Sequence, residues 1–253
     1  MIERKKLKEP EFKTKNVGIE APTTGLLDTI TEMPTTGLLD TIAAMLGIPL
    51  ITDAKELHGN SNFILFASRH NNRNEVEYLK NIIIDALERS NKKVIVAAED
   101  FSDEFTYKLL NNPKMDVDSN VMQHYIATFV YPDIAKDVIK AYREIQQKYG
   151  TDRFEIVQIG ETIEDRIDML KNISEEEFNK KRHAIIAKAA LKLYETYEGT
   201  ITLIVYTGAR HTIDILKKIM KMESVKKEEI KRDVRVFVPP EYIIQYLRAA
   251  KRE

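Results

Sequence analysis

Five short apolar runs, each separated from the next by amphipathic or polar stretches, limit this chain to few architectures. They are Asn62–Ser68 (NFILFAS), Lys93–Ala98 (KVIVAA), Arg153–Ile159 (RFEIVQI), Thr200–Tyr206 (TITLIVY) and Asp233–Val238 (DVRVFV). Nearly continuous rather than alternating apolarity is what a strand needs when both of its faces are covered. Between the runs the apolar period lengthens. Val76, Leu79, Ile82, Ile83, Ala86 and Leu87 are spaced for one face of a helix over 74–90. Helical patterns also cover 105–110, 133–149, 162–170, 212–222 and 241–250, with Pro239-Pro240 ending the last run. Ser174 followed by Glu177 forms a capping box that opens a helix running to about Glu198. Strands alternating with helices predict an α/β fold: a mainly parallel central sheet flanked by helices on both faces, spanning 46–253 as one domain.

Upstream of it, PTTGLLDTITEM (22–33) is followed at once by PTTGLLDTIAAM (34–45). Only Thr31/Ala43 and Glu32/Ala44 differ, so this is a tandem duplication. Residues 1–45 are therefore expected to be an N-terminal extension. The repeat is either a slippage duplication in a tolerant arm or a doubled docking motif. In the second case Leu26, Leu27, Ile30, Leu38, Leu39 and Ile42 would contact a partner or make a homo-oligomer.

Composition removes several function classes. With no cysteine there is no disulfide, thiolate metal site or cysteine nucleophile. With 39 Lys+Arg against 40 Asp+Glu, the chain is not a strongly basic nucleic-acid binder, although basic segments at 4–15 and 217–235 permit a local patch. No apolar run reaches the roughly 20 residues of a membrane span, and no h-region follows the basic N-terminus. A cytoplasmic protein without membrane contact is expected.

In parallel α/β sheets the ligand site lies beyond the carboxyl ends of the strands. The first run ends in Ala67-Ser68-Arg69-His70, the second in Glu99-Asp100, the third in Gly160-Glu161 and the fourth in Gly208-Ala209-Arg210-His211. One sheet edge should thus gather two imidazoles, two guanidiniums and several carboxylates. Two chemistries suit that set. His70, Glu99 and His211 could hold a divalent metal ion. Alternatively, a histidine or Glu99 could act as general base, with Arg69 or Arg210 holding an anionic group or developing oxyanion. Glu161 is either a helix-terminal charge or a further acid of the site. His58 reads as a loop residue, His124 as a core or cleft histidine, and His183, beside Lys180, Lys181 and Arg182, as solvated on a charged helix face. No GxGxxG or Walker loop is present.

The stretch from Ile64 to Phe101, with His70 after the first strand and KVIVAAEDF as the second, resembles a known superfamily. It groups ChaN-like haem-uptake proteins, erythromycin esterases, TraB-type proteins and Tiki proteases. Its pattern is a strand ending in G-x-x-H or G-E-x-H, a later strand ending in Glu, and a last strand ending in G-x-x-H. Gly208–His211 matches the last element and Glu99 the middle one; Ala67 and Ser68 replace Gly and Glu in the first. The resemblance covers about residues 60–220. It implies a hydrolase-like pocket with His70, Glu99 and His211 in the catalytic or metal-binding positions. The functional expectation is a hydrolase of peptide or ester bonds, acting on a small-molecule or peptide substrate and metal-assisted or metal-free. The alternative is a non-enzymatic binding or assembly protein on a degenerate copy of that fold.

Overall fold

Burial follows the five apolar runs closely. The computed structural model describes residues 50–51, 62–69, 72–99, 118, 120, 132–161, 163–197, 199–222, 230 and 233–239. The chain divides into two compact units, Met1–Leu38 and Leu39–Glu253. The first unit, both copies of the repeat, the expected 45/46 boundary and the expected helices at 105–110 and 241–250 lie outside the described residues, as do His58, His70 and His124.

The five expected strands form at Phe63–Ser68 (β2), Lys93–Ala98 (β3), Phe154–Gln158 (β4), Ile201–Gly208 (β5) and Val234–Phe237 (β6). A two-residue strand, Leu50–Ile51 (β1), pairs with β6 at the edge. It is too short to carry a periodic signal. Among the described residues the sheet is six-stranded, in the order β1-β6-β2-β5-β3-β4, and every pairing is parallel. β2, β5 and the last five residues of β3 are buried throughout, which is why their sequences are apolar without alternation.

The helices are Arg73–Arg89 (α1), Pro132–Tyr149 (α2), Ile163–Asn172 (α3), Glu175–Thr196 (α4) and Ala209–Lys221 (α5). Asn72 caps α1 by accepting the Asn74 N–H, and Ser174 caps α4 by accepting the Glu177 N–H, as the capping box predicts. Steps from β2 to β3 to β4 run toward one edge; steps from β4 to β5 to β6 run back. With right-handed crossovers the two directions place their helices on opposite faces.

Side-chain parity agrees. Ile64, Phe66, Val94, Val96, Ala98, Ile204 and Tyr206 share one core with the apolar stripes of α1 and α2, here called the first face. Phe63, Leu65, Ile95, Ala97, Leu203 and Val205 point to the second face, where Phe63 meets Tyr194 of α4 edge-on at 5.3 Å and α4 packs on α5. No helix among the described residues is long and apolar enough to cross a membrane.

One topological fact positions the site. β3 and β5 are neighbours, yet β3 leads outward to β4 on the first face while β5 leads back across β2 to β6 on the second. Their carboxyl ends therefore flank the switch point where open α/β sheets form a crevice.

Candidate functional site at the carboxyl edge of the sheet

Glu99 directly follows β3, and by parity it turns to the second face. It is buried, and its Oε1 accepts the Gly208 N–H at 2.7 Å, joining the ends of β3 and β5 across the switch point. Its Oε2 lies 3.7 Å from Nη2 of Arg182, a buried residue of α4. The Arg182 Nε sits 3.1 Å from Oε1 and 3.2 Å from Oε2 of Glu161, which follows β4. Arg166 of α3 donates from Nε to the same Glu161 Oε1 at 2.9 Å. Two buried carboxylates are thus matched by two guanidiniums, and Arg182 bridges them. Gly160 makes the arrangement possible: a Cβ there would stand 2.8 Å from the Glu99 carbonyl oxygen, so only glycine lets β4 exit so close to β3.

Next to Arg182 on α4 is His183. It is 6% exposed, and its Nε2 lies 2.8 Å from Nδ1 of His211. Its Nδ1 is 3.4 Å from Asp214 Oδ2 on α5. Burial holds the His183 pKa below the ordinary histidine value; the neighbouring His211 and Arg182 push the same way, against the pull of Asp214 and Glu99. Because Glu99 and Glu161 already have guanidinium partners, the cluster does not need His183 as a cation.

His211 belongs to the first turn of α5, not to a loop. The helix starts immediately after Gly208, three residues before the expected Thr212. Thr212 Oγ1 donates back to the Gly208 carbonyl at 3.1 Å, and Thr207 and Thr212 hydroxyls lie 3.1 Å apart, closing the strand-to-helix corner without a connecting loop.

Glu99 and His211, both expected in the site, are brought to one cluster through the adjacent pair Arg182-His183. Arg210 sits beside His211 with its side chain exposed. Arg69 is also exposed, and its backbone N–H donates to Glu75 Oε1 on the first face at 2.8 Å. His70 lies outside the described residues. Among the described residues, no three His, Asp or Glu side chains are grouped to hold a metal ion. The expectation that His183 is solvated is overturned. Its neighbours in sequence are charged, but the buried stripe of α4 runs Phe178, Arg182, His183, Ile186, Ala187, Ala190, Leu191 and Tyr194. That stripe, extended one turn toward the N-terminus, was the signal: it passes through Arg182 and His183 at helical spacing.

A second buried polar group occupies the first face at the same edge. Ser68 Oγ lies 2.5 Å from Glu75 Oε2 and 2.9 Å from Tyr206 Oη. An ionised carboxylate only accepts, so Ser68 donates to Glu75 and Tyr206 donates to Ser68.

No family model, no curated protein and no solved structure matches the chain.

Proposed function

We propose that the carboxyl edge between β3 and β5 is the active site of a hydrolase of peptide or ester bonds, with His211 as general base. The supporting observation is the 2.8 Å contact between His183 Nε2 and His211 Nδ1, backed by Asp214 at 3.4 Å. In the tautomer set that suits both contacts, His183 directs its Nδ1–H at Asp214 and accepts the Nδ1–H of His211. That leaves the basic lone pair of His211 on Nε2. Asp214 and His183 orient the base, as a carboxylate orients histidine in hydrolytic triads.

In this reading His211 takes a proton from water as the water oxygen bonds to the substrate carbonyl carbon. Arg210, at the mouth, faces the oxyanion that forms. When the carbon–oxygen or carbon–nitrogen bond breaks, the proton on His211 passes to the leaving group. The metal-assisted form would place a divalent ion on His70, Glu99 and His211. Glu99, already engaged by the Gly208 N–H and close to Arg182, is a poor donor toward a further cation.

The test is hydrolysis of a panel of aryl esters and fluorogenic peptides, with and without a chelator. His211→Asn keeps a donor to His183 but has no base. It is expected to lose about 10²-fold or more in turnover, the scale of one acid–base group, while unfolding at nearly the wild-type temperature. Full activity in His211→Asn would remove the base from this site. No turnover by the folded wild-type chain on any substrate would leave the binding or assembly reading.

A further inference from the structure

The two helical layers differ in how their charges are arranged. On the first face α1 and α2 carry seven basic residues (Arg73, Lys80, Arg89, Lys136, Lys140, Arg143, Lys148) and seven acidic ones (Glu75, Glu77, Asp85, Glu88, Asp133, Asp137, Glu144). They neutralise one another: Arg73 pairs with Asp137, Lys80 with Glu144, Arg89 with Asp85 and Lys148 with Glu88.

On the second face α4, beyond its acidic first turn, has Lys180, Lys181, Arg182, Lys188 and Lys192 against Glu195. α5 has Arg210, Lys217, Lys218 and Lys221 against Asp214. Spacing sorts these cations further. Lys181, Ile185, Lys188 and Lys192 fall at i, i+4, i+7 and i+11, and all four are exposed. Arg210, Asp214, Lys217 and Lys221 repeat the same spacing on α5, opposite its buried stripe of Thr212, Ile213, Ile215, Leu216 and Ile219. On these stripes Lys181 pairs with Glu177, and Asp214 faces His183.

α4 and α5 pack together, and each returns from the carboxyl to the amino edge of the sheet, so the two basic rows run side by side. Over eleven residues each row spans about 16 Å.

We propose that this outward face of α4 and α5 binds the phosphate backbone of a nucleic acid. Two rows of cations with a fixed helical period fit a linear polyanion, and phosphate contacts require no base readout. An anionic membrane fits less well. Peripheral helices insert an apolar face, and the apolar faces of α4 and α5 are buried on the sheet, with Ile185 the exposed large apolar residue of these rows. The surface shares Arg210 with the hydrolase reading and otherwise does not depend on it.

Anisotropy with a fluorescent 30-base-pair duplex and a 30-nucleotide RNA, using the full chain, tests it. Six row cations predict a log–log salt slope near −5 for the duplex, about a 10³-fold loss of affinity between 50 and 200 mM salt. The triple variant K181A/K188A/K192A should flatten that slope by about 3. R210A/K221A should flatten it by about 2, and it serves if the triple variant fails to fold. K80A/K140A/K148A on the first face should leave it unchanged. Absence of binding at 50 mM salt, an unchanged slope in the α4 and α5 variants, or tighter co-sedimentation with phosphatidylserine vesicles than binding to duplex would overturn the proposal.

Discussion

Two buried polar clusters lie on opposite faces of one sheet edge, and they are built differently. On the first face Tyr206, Ser68 and Glu75 form a chain of hydroxyls ending on one carboxylate. Ser68 and Glu75 are seven residues apart, so this cluster mainly fastens the turn from β2 into α1. On the second face Glu99, Glu161, Arg166, Arg182, His183 and His211 come from five segments, β3's end, β4's end, α3, α4 and α5. The first cluster holds one buried carboxylate, which accepts from the Ser68 hydroxyl and the Arg69 N–H of the same turn. The second holds two buried carboxylates bridged by one guanidinium, and its cations come from other elements, because an unpaired buried charge is costly. The second cluster is therefore the one that couples distant elements, and the one with groups able to move protons.

The contrast can be broken most directly at Arg182. Arg182→Met takes the guanidinium from Glu99 and leaves Glu161 with Arg166 alone, and an expected loss of about 3–5 kcal/mol should appear in urea unfolding. A change below about 1 kcal/mol would mean the carboxylates are satisfied without it. On the first face Ser68→Ala removes the central member and takes one hydrogen bond from each of Tyr206 and Glu75. About 1–3 kcal/mol is expected by the same measurement. Should Ser68→Ala cost more than Arg182→Met, the ranking of the two clusters is reversed. The double variant sharpens the comparison: clusters on opposite faces should add within about 0.5 kcal/mol, and a larger coupling would show that they communicate through the sheet.

The smallest effect is in pH dependence, because it concerns a single proton. The His183 pKa is lowered in the folded chain, so the unfolded chain binds its proton first as pH falls. This contribution to stability is whole above the unfolded value of about 6.5 and is lost as pH drops toward the folded pKa. Wild-type unfolding free energy should therefore decline below that pH more steeply than that of His183→Gln, by at most about 1.4 kcal/mol per pH unit. Parallel curves for the two proteins would show that His183 does not carry the neutral role assigned to it.

The strands and most helices were legible because burial on two faces demands apolar runs and burial on one demands helical spacing; β3 coincides with the run read at Lys93–Ala98, and β2 and β5 deviate by a residue or two from those read at Asn62–Ser68 and Thr200–Tyr206. Half of the second-face cluster was legible too, since Glu99, Glu161 and His211 follow strands and the sheet edge is a shared address. Arg182, His183 and Asp214 were not. They reach the site from helices, and the charged neighbours of Arg182 and His183 in sequence disguise a buried stripe. The early start of α5 was hidden as well, because Glu99 takes the Gly208 N–H from another strand and Thr212 closes the corner from within.

Sequence by itself determined that the chain alternates strand and helix around a parallel sheet, because apolar periodicity is set residue by residue. Only the tertiary structure decided that β5 inserts between β2 and β3, which puts Glu99 against Gly208. It also decided that α4 lays Arg182 and His183 over that junction. Strand order and helix placement arise from contacts between segments far apart in sequence, and such contacts leave no period in a linear string.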